Sequence, residues 1–347
     1  QGRQPLSSRA PRVAPLQPTR ARASGSAMLA SRFVPLARGF RWARRFRGQG
    51  GRGPRDAAPQ AGAAALAAVL SGSGLLHPWC RSEEKQEGRQ EEQPDRLAPW
   101  RAKWEAGQTA WHLPTLHPAL ERHLAELLPA EVGPVGGGMG PRILMPLCGK
   151  SVDMPLLARK GYRVVGVEGA KRPIEEFSAA HSVTGNAVPV ALPPSLDPER
   201  FQAHAVLIGA GEEAGVTLTE PPPPVLIVEG DFLGIGAAEA ADLVPFPAAF
   251  DRAGLVAVAP ADRPKYAQVL SEMISPGGRL LLVTVEHDTG GGPPFEVTEA
   301  EVHKLFCEKF SVRLLRQEQE PLQEKIMRSR GASRFQEGTY LLTRRAS

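Results

Sequence analysis

The chain has 347 residues, of which 42% are hydrophobic, enough for one sizeable folded core with additional flanking segments. Its formal charge is +5, but the first 55 residues hold 13 arginines and no acid, so 29 basic and 37 acidic residues remain and the rest of the chain has a net charge of −8. The overall basic character therefore gives no support to nucleic-acid binding by the folded part, and we expect no nucleic-acid partner.

The cysteines indicate neither a disulfide framework nor a metal site. Cys80, Cys148 and Cys307 are far apart in the sequence, without a CxxC pair or a Cys/His cluster. We therefore expect a reducing compartment and no bound metal. No stretch of the sequence approaches the roughly 20 apolar residues that a membrane span needs, so we expect no membrane partner.

Residues 1–80 form an Arg-rich extension. From Met28, a candidate initiator, arginines alternate with Phe, Trp and Leu without any acid, which is typical of a mitochondrial transit peptide. A disordered tail explains the same composition equally well. Residues 81–96 are highly charged and lack apolar periodicity, which predicts a solvated linker. We expect the folded domain to cover residues 97–347.

Helices and strands alternate from residue 97 onward. Helices are predicted at about 97–106, 118–128, 151–160, 264–274 and 299–308. Strands are predicted at about 142–147, 163–168, 225–231, 248–258, 277–287, 310–318 and 339–345. Residues 193–224, with four consecutive prolines, are predicted to be an irregular insertion. This alternation predicts an α/β fold with a doubly wound, mostly parallel sheet.

Candidate ligand-binding residues follow the first two strands of the predicted sheet. Ligands of doubly wound sheets bind beyond the carboxyl ends of the strands. Gly149 follows the first strand and lets the backbone turn tightly, and Glu168 ends the second strand 19 residues later. An acid at this spacing accepts hydrogen bonds from ribose hydroxyls. Because a full G-x-G-x-x-G pattern is absent, a nucleoside-type cofactor is favoured over NAD or FAD. Alternatively, Glu168 is a solvent-facing residue at the end of a strand.

Four stretches together resemble the thiopurine S-methyltransferase family. They are WRAKWEAGQTAWH (100–112), PLCGKSVDMPLLARKGYRVVGVE (146–168), FDRAGLVAVAPADRPKYA (250–267) and GGPPFEV (291–297). The order and spacing of these blocks are similar to those of the family from Trp100 to the C-terminal YLLTRR. The resemblance implies a Rossmann-like class I methyltransferase fold and S-adenosyl-L-methionine as the cofactor.

The resemblance also implies positions for the cofactor contacts. Leu147 matches a family contact in the turn after the first strand, where Gly149 is expected to approach the cofactor. Glu168 matches the acid that binds the ribose hydroxyls. Gly230 and Asp231 match the loop beside the adenine.

Aromatic and basic residues complete the implied site. The first block matches the segment that folds over the cofactor and contributes Trp100, Trp104 and Trp111. Trp111 stands where the family usually has a substrate-contacting phenylalanine. Arg252 matches a family arginine near cofactor and substrate, and we expect it to stabilise a substrate thiolate as the catalytic residue. A second substrate-contacting basic residue is expected at Lys325.

Two of the departures from the family pattern lie at or beside residues implied for the site. After Asp251 and Arg252 the order is Ala-Gly, whereas the family has Gly-Ala. Around the expected second basic position, Arg328 and Arg330 compete with Lys325. These departures leave the expected cofactor unchanged but weaken the preference for thiopurines.

By this resemblance, we expect a monomer that methylates the sulfur of small aromatic and heterocyclic thiols, such as thiopurines. One alternative is methyl transfer to another small nucleophile, such as a selenium compound or a halide. Another is a cofactor-binding protein without catalysis, and a third is a nicotinamide-dependent dehydrogenase. The resemblance implies a cytoplasmic location, whereas a transit peptide starting at Met28 would imply mitochondria.

Overall fold

The computed structural model describes residues 95–128, 140–209, 212–213, 216–217, 222–318 and 321–346. The predicted Arg-rich extension of residues 1–80 lies outside the described residues, as does the predicted linker up to residue 94. In the part of the chain that is described, no helix has the length and apolar character needed to cross a membrane.

The helices of the described part vary from one turn to three. They are α1 (Ala98–Glu105), α2 (Pro118–Leu127), α3 (Asp153–Arg159), α4 (Lys171–His181), α5 (Ala237–Ala240), α6 (Arg263–Met273), α7 (Glu299–Phe306) and α8 (Pro321–Ser329).

The strands belong to one large sheet and one small hairpin. They are β1 (Arg142–Pro146), β2 (Arg163–Glu168), β3 (Val188–Pro189), β4 (Gln202–Val206), β5 (Glu212–Glu213), β6 (Val216–Thr217), β7 (Val225–Glu229), β8 (Phe246–Arg252), β9 (Ile274–His287), β10 (Phe310–Glu318) and β11 (Phe335–Arg344).

The large sheet has the order β10-β11-β9-β8-β1-β2-β7-β4-β3. Its five central strands, from β9 to β7, are parallel. Antiparallel strands extend it at both edges. The chain runs from β1 outward through β2 to β7 and then returns to the other side of β1 with β8. This reversal is the topological switch of a doubly wound sheet, and it confirms the predicted α/β fold.

The central strands are apolar because both faces of the sheet are covered. Ile143 and Leu144 of β1 are fully buried although their side chains point to opposite faces. In β8, Phe250 packs on His117 at the start of α2, with 6.1 Å between ring centroids. The next residue, Asp251, accepts a hydrogen bond from Tyr266 of α6. Since neighbouring residues of a strand point to opposite faces, α2 and α6 cover the two faces.

Local sequence signals explain where two of these helices begin. The hydroxyl of Thr298 accepts a hydrogen bond from the amide of Glu301, as the predicted S/T-x-x-E pattern requires for α7. The side chain of His117 accepts from the amide of Ala119 and so caps α2. Pro118 follows as the first residue of α2, where the missing amide proton removes no helical hydrogen bond.

The irregular insertion predicted for residues 193–224 contains an ordered strand, so that prediction is wrong in part. β4 pairs antiparallel with β7 near the edge of the sheet. Its sequence QAHAV has no continuous apolar run, because its first three residues are only partly buried or exposed. Helix α4 was not predicted, since Pro173 interrupts its apolar pattern. This proline lies in the first turn, where a helix tolerates it.

The turn after β8 shows the physical effect of the inverted Ala-Gly order. Ala253 has a φ of 73°, in the left-handed region that costs a residue with a side chain about 1–2 kcal/mol. Gly254 has an ordinary φ of −70°. A Cβ atom on Gly254 would lie 2.4 Å from both Asp251 Oδ1 and the Tyr266 hydroxyl. The glycine therefore stands where space is short, and the alanine stands where the backbone is strained.

Substitution of these two residues one at a time is expected to change the free energy of unfolding in opposite directions. Ala253→Gly should raise the free energy of unfolding by up to about 1 kcal/mol, because relief of strain exceeds the added entropy of the unfolded chain. Gly254→Ala should lower it by about 1–3 kcal/mol through overpacking. Urea unfolding of both variants measures the difference, and a shift of the same sign in both would contradict this account of the turn.

Candidate active site

A cavity of about 470 Å³ opens at the carboxyl ends of the central strands. Residues after β1, β2, β7 and β8 line it, and segments from α1 to residue 115 and from residue 293 to 295 form further walls. The cavity thus lies beside the topological switch, where ligands of doubly wound sheets bind. Its volume falls in the range of small-molecule sites.

The cavity brings together residues that the sequence analysis selected from four distant blocks. Those lining it are Trp100, Trp104, Trp111, Leu147, Gly149, Glu168, Gly230, Asp231 and Arg252. Lys325 does not line the cavity; it is exposed on α8. Ile326 and Met327, which follow it, do line the wall, as does Arg330. The arginine rather than the lysine is therefore the cation that this segment presents to the cavity.

Glu168 is buried at the end of β2 and holds the adjacent turn of the backbone. Its two carboxylate oxygens accept hydrogen bonds from the amides of Gly149, at 2.9 Å, and Ala170, at 2.8 Å. The carboxylate thus fixes the turn after β1 against the turn after β2. Each oxygen keeps a further lone pair, so the group can also accept hydrogen bonds from a ligand in the cavity.

Burial dominates the electrostatics of Glu168. Removal from water raises the pKa of this carboxyl from 4.5 to about 7, although the backbone hydrogen bonds oppose the shift. The charge of Glu229 adds to the increase. Near neutral pH both the protonated and the ionised form of Glu168 are therefore populated. A ligand that donates hydrogen bonds to the carboxylate favours the ionised form.

The turn between β1 and α3 needs unusual backbone conformations. Leu147 and Gly149 have φ values of 45° and 53°. A Cβ atom on Gly149 would lie 3.0 Å from the His112 ring and 3.4 Å from the Trp104 ring. Only glycine gives this turn both a positive φ without strain and a close approach of the aromatic residues.

Three indole rings form one wall of the cavity. Trp111 packs edge to face against Trp100, at 5.6 Å between ring centroids, and against Trp104, at 5.7 Å. The ammonium group of Lys103 lies 4.6 Å from the centre of the Trp100 ring. Such aromatic clusters attract cations and exclude water.

Arg252 connects this aromatic wall to the sheet. Its guanidinium donates a hydrogen bond to the backbone carbonyl of Trp111. The neighbouring Asp251 points to the other face, where it accepts from the Tyr266 hydroxyl at 2.8 Å and from the Gly254 amide at 2.8 Å. Burial raises the pKa of Asp251 to about 6. Asp251 thus stabilises the turn, while Arg252 faces the cavity.

The loop after β7 is shaped by close packing. The Gly230 amide donates to the Glu168 carbonyl at 2.9 Å, and a Cβ atom at Gly230 would lie 2.2 Å from the Phe201 ring. Asp231 caps the following turn through the Leu233 amide. It also forms an ion pair of 3.2 Å with Arg96.

His112 lines the cavity but was not predicted from the sequence. Burial and the nearby charges of Lys150 and Arg252 lower the pKa of this imidazole to about 4, so the ring is neutral near pH 7. Its Nε2 atom is buried and has no hydrogen-bond partner among the described residues. The ring packs against Trp104 at 5.0 Å. A single histidine in an aromatic block carries no sequence signal that separates ligand contact from core packing.

Cys148 lies beside the predicted cofactor contacts, but its thiol is unsuited to nucleophilic attack. Burial, with a contribution from Glu168, raises the pKa of the Cys148 thiol well above its usual range. A Cβ atom on Gly166 would come within 2.5 Å of the sulfur, which shows how tightly the thiol is packed. Its contribution is to the packing of β1 against β2.

A doubly wound sheet whose second strand ends in a buried carboxylate facing a cavity of this size is the arrangement expected of a class I methyltransferase fold, and it also occurs in dinucleotide-binding folds. The model of the family described as thiopurine S-methyltransferase matches residues 96–194 and 216–345. The chain belongs to this family, which confirms the resemblance seen in the sequence.

Curated relatives extend the same comparison. A thiopurine S-methyltransferase of Pseudomonas fluorescens is 34% identical over 218 residues, covering 62% of this chain and 84% of the relative. One from Azotobacter vinelandii is 32% identical over 248 residues, covering 71% and 98%. Among solved structures, an arsenic(III) S-adenosylmethionine methyltransferase from Chlamydomonas reinhardtii is 19% identical and covers 67% of this chain and 76% of its own, with a TM-score of 0.41.

Glu168→Gln is expected to gain stability relative to the wild type as the pH rises from about 4.5 to about 7. The folded pKa is raised, so the unfolded chain releases the proton first and the contribution of Glu168 to the free energy of unfolding falls through this window. The relative gain can reach about 3 kcal/mol at pH 8. Urea unfolding at pH 5, 6, 7 and 8 measures it.

The comparison must be made between variants, because His112 has the opposite effect: its lowered pKa makes stability rise with pH between about 4 and 6.5. Glu176→Gln is the matched control. Lys150 and Arg172 lower the pKa of Glu176 from 4.5, so the stability difference between Glu176→Gln and the wild type should stay nearly constant over the pH window in which Glu168 titrates. A constant difference for Glu168→Gln as well would refute the raised pKa.

Proposed function

We propose that this chain transfers the methyl group of S-adenosyl-L-methionine to the sulfur of aromatic and heterocyclic thiols, thiopurines included. The observation that carries the proposal is the single cavity that Glu168, the three tryptophans and Arg252 share. Membership of the thiopurine S-methyltransferase family and the names of the bacterial relatives support it.

The residues around the cavity fit this cofactor. Glu168 presents a carboxylate whose orientation two backbone amides fix, and it retains lone pairs for the two ribose hydroxyls. Gly149 lines the cavity beside Glu168, so its backbone is within reach of a bound nucleoside. The indole faces of Trp100, Trp104 and Trp111 suit a sulfonium, to which an aromatic ring contributes roughly 0.5–2 kcal/mol.

The bound cofactor supplies an electrophilic methyl group on a positively charged sulfur. Arg252 is permanently charged and holds its guanidinium at the end of β8, where it stabilises a substrate thiolate and orients the ring. Aromatic thiols ionise more easily than cysteine. Because much of the substrate is already a thiolate, the chain needs no dedicated base. Alignment of thiolate and methyl group in the cavity can supply about 7–11 kcal/mol of the rate enhancement.

The charges at the cavity support a thiolate as the attacking form. Lys150 and Arg252 lie near His112, and Lys103 and Arg330 line the cavity on the α1 and α8 sides. Lys103 and Arg330 are close enough for the arginine to lower the pKa of the lysine, after the larger effect of burial. A cation beside the substrate sulfur lowers the free energy of the ionised thiol.

Arg252→Ala is expected to lower kcat/KM for methylation of aromatic thiols about 100-fold, because charge-assisted hydrogen bonds contribute about 1.5–3 kcal/mol. Arg252→Lys keeps the positive charge but loses the paired N–H donors of the guanidinium group, so it should retain an intermediate activity. Glu168→Ala should act chiefly on the affinity for the cofactor. The assay uses the full chain, a methyl-labelled cofactor and a panel of aromatic and heterocyclic thiols.

Three results would overturn the proposal. Tight binding of S-adenosylhomocysteine without turnover on any thiol would indicate a cofactor-binding protein without catalysis. Turnover restricted to selenium compounds or halides would indicate a different methyl acceptor. Tight binding of NADH in place of S-adenosylhomocysteine would exclude the methyltransferase altogether.

We assign the methyltransferase domain to residues 97–347. The family match starts at residue 96, and each residue proposed for the site lies after residue 97. Residues 1–80 are proposed as an extension and 81–96 as a linker, on composition alone. The proposed form is a monomer that acts on small thiols, as the family resemblance implies.

The full chain with a C-terminal fluorescent reporter is expected throughout the cytoplasm, in agreement with the family resemblance. Deletion of residues 1–80 should leave that distribution unchanged. Imaging of both forms in the same cell line measures this. A mitochondrial signal that depends on residues 28–80 would instead identify a transit peptide.

A further inference from the structure

A further buried carboxylate lines the cavity from β11. Glu337 lies on β11 and is 4% exposed, yet it lines the cavity wall. A carboxylate is rarely buried in an apolar wall without a partner, because desolvation is costly. The surroundings of Glu337 therefore show whether the fold itself satisfies it.

The protein gives this carboxylate one weak contact. Glu337 Oε1 lies 3.6 Å from His117 Nε2, which is too long for a good hydrogen bond. Among the described residues, no lysine or arginine lies within ion-pair distance of Glu337. The Nδ1 atom of His117 accepts a hydrogen bond from the Ala119 amide, so the neutral imidazole carries its proton on Nε2. Nε2 has no hydrogen-bond partner in the described part of the chain. Both members of the pair thus retain unused capacity.

The strand register places Glu337 on the same face of the sheet as Arg252. Arg252 of β8 pairs with Val283 of β9, and Val285, two residues further on, pairs with Glu337 of β11. Paired residues and residues two apart share a face. Two strand spacings, about 10 Å, and an offset of two residues, about 7 Å along the strands, place the Cα atoms of Arg252 and Glu337 about 12 Å apart. The two valines line the cavity between them.

This spacing suits a flat bicyclic ring that lies along the valines with its sulfur near Arg252. We propose that Glu337 accepts a hydrogen bond from a ring N–H of the substrate at the end remote from the sulfur. It thereby selects thiols of N–H heterocycles over benzenethiols. The inference rests on the proposed function, and it adds a specificity-determining residue to it.

Replacement of the ring N–H by oxygen tests the contact from the substrate side. Wild-type full-length protein should methylate indole-5-thiol with a kcat/KM roughly 10- to 100-fold above that for benzofuran-5-thiol, since hydrogen bonds to charged groups contribute that much. This comparison needs no variant, so it stands even if substitution of Glu337 impairs folding. Equal values for the two thiols would overturn the proposal.

Variants test the contact from the protein side. Glu337→Met removes the acceptor and should reduce the preference for indole-5-thiol over benzofuran-5-thiol to within about twofold, chiefly by lowering kcat/KM for the indole thiol. Glu337→Gln, which keeps a weaker acceptor, should lie between. Glu286→Gln is the matched control, because this buried acid precedes His287 on β9, points to the opposite face and does not line the cavity. It should keep the wild-type preference.

A merely structural role for Glu337 predicts something different. Equal losses for both thiols, accompanied by a lower melting temperature and weaker S-adenosylhomocysteine binding, would mean that the side chain only supports the start of α2. That result would overturn the inference while leaving the proposed function intact. Failure of the wild type to methylate any thiol would instead overturn the proposed function.

Discussion

The hydrogen bonds that hold Glu168 determine the geometry of the site. One carboxylate joins the amide of Gly149 to the amide of Ala170, so the turns after β1 and β2 form a single unit. These contacts only partly offset the cost of burial, since the pKa remains raised at about 7. The group is therefore oriented by the fold and incompletely satisfied by it, which is the condition in which it gains most from ligand hydroxyls.

The aromatic wall of the cavity packs on the unit that these two turns form. The aromatic segment reaches over the turn that Glu168 fixes, and the rings of His112 and Trp104 would lie 3.0 Å and 3.4 Å from a Cβ atom on Gly149. Arg252 then joins the carbonyl of Trp111 to the end of β8. The aromatic wall, the carboxylate of Glu168 and the proposed catalytic arginine are thus parts of one network, and we expect a change in the turn at residue 149 to displace all of them.

The sequence predicted the features that local spacing controls. The strand, helix and strand before Glu168 follow from apolar runs and a glycine. By contrast, Glu337 faces the cavity only because β11 pairs with β9 in one register, and no local pattern states that register. Lys325 was misplaced for a related reason: the apolar Ile326 and Met327 face the cavity, so the lysine beside them is turned outward. Residues whose position depends on long-range packing stay hidden in the sequence.

The neutral state of His112 has a consequence for the proposed chemistry. Thiolate and sulfonium neutralise each other during methyl transfer, so a site with excess positive charge would stabilise the thiolate but repel the cofactor. Lys150 and Arg252 already supply positive charge beside the imidazole, and this charge, with burial, keeps the ring unprotonated. The lowered pKa therefore limits the positive charge in the cavity where we propose that the sulfonium binds. A cationic residue at position 112 would disturb that balance of charge.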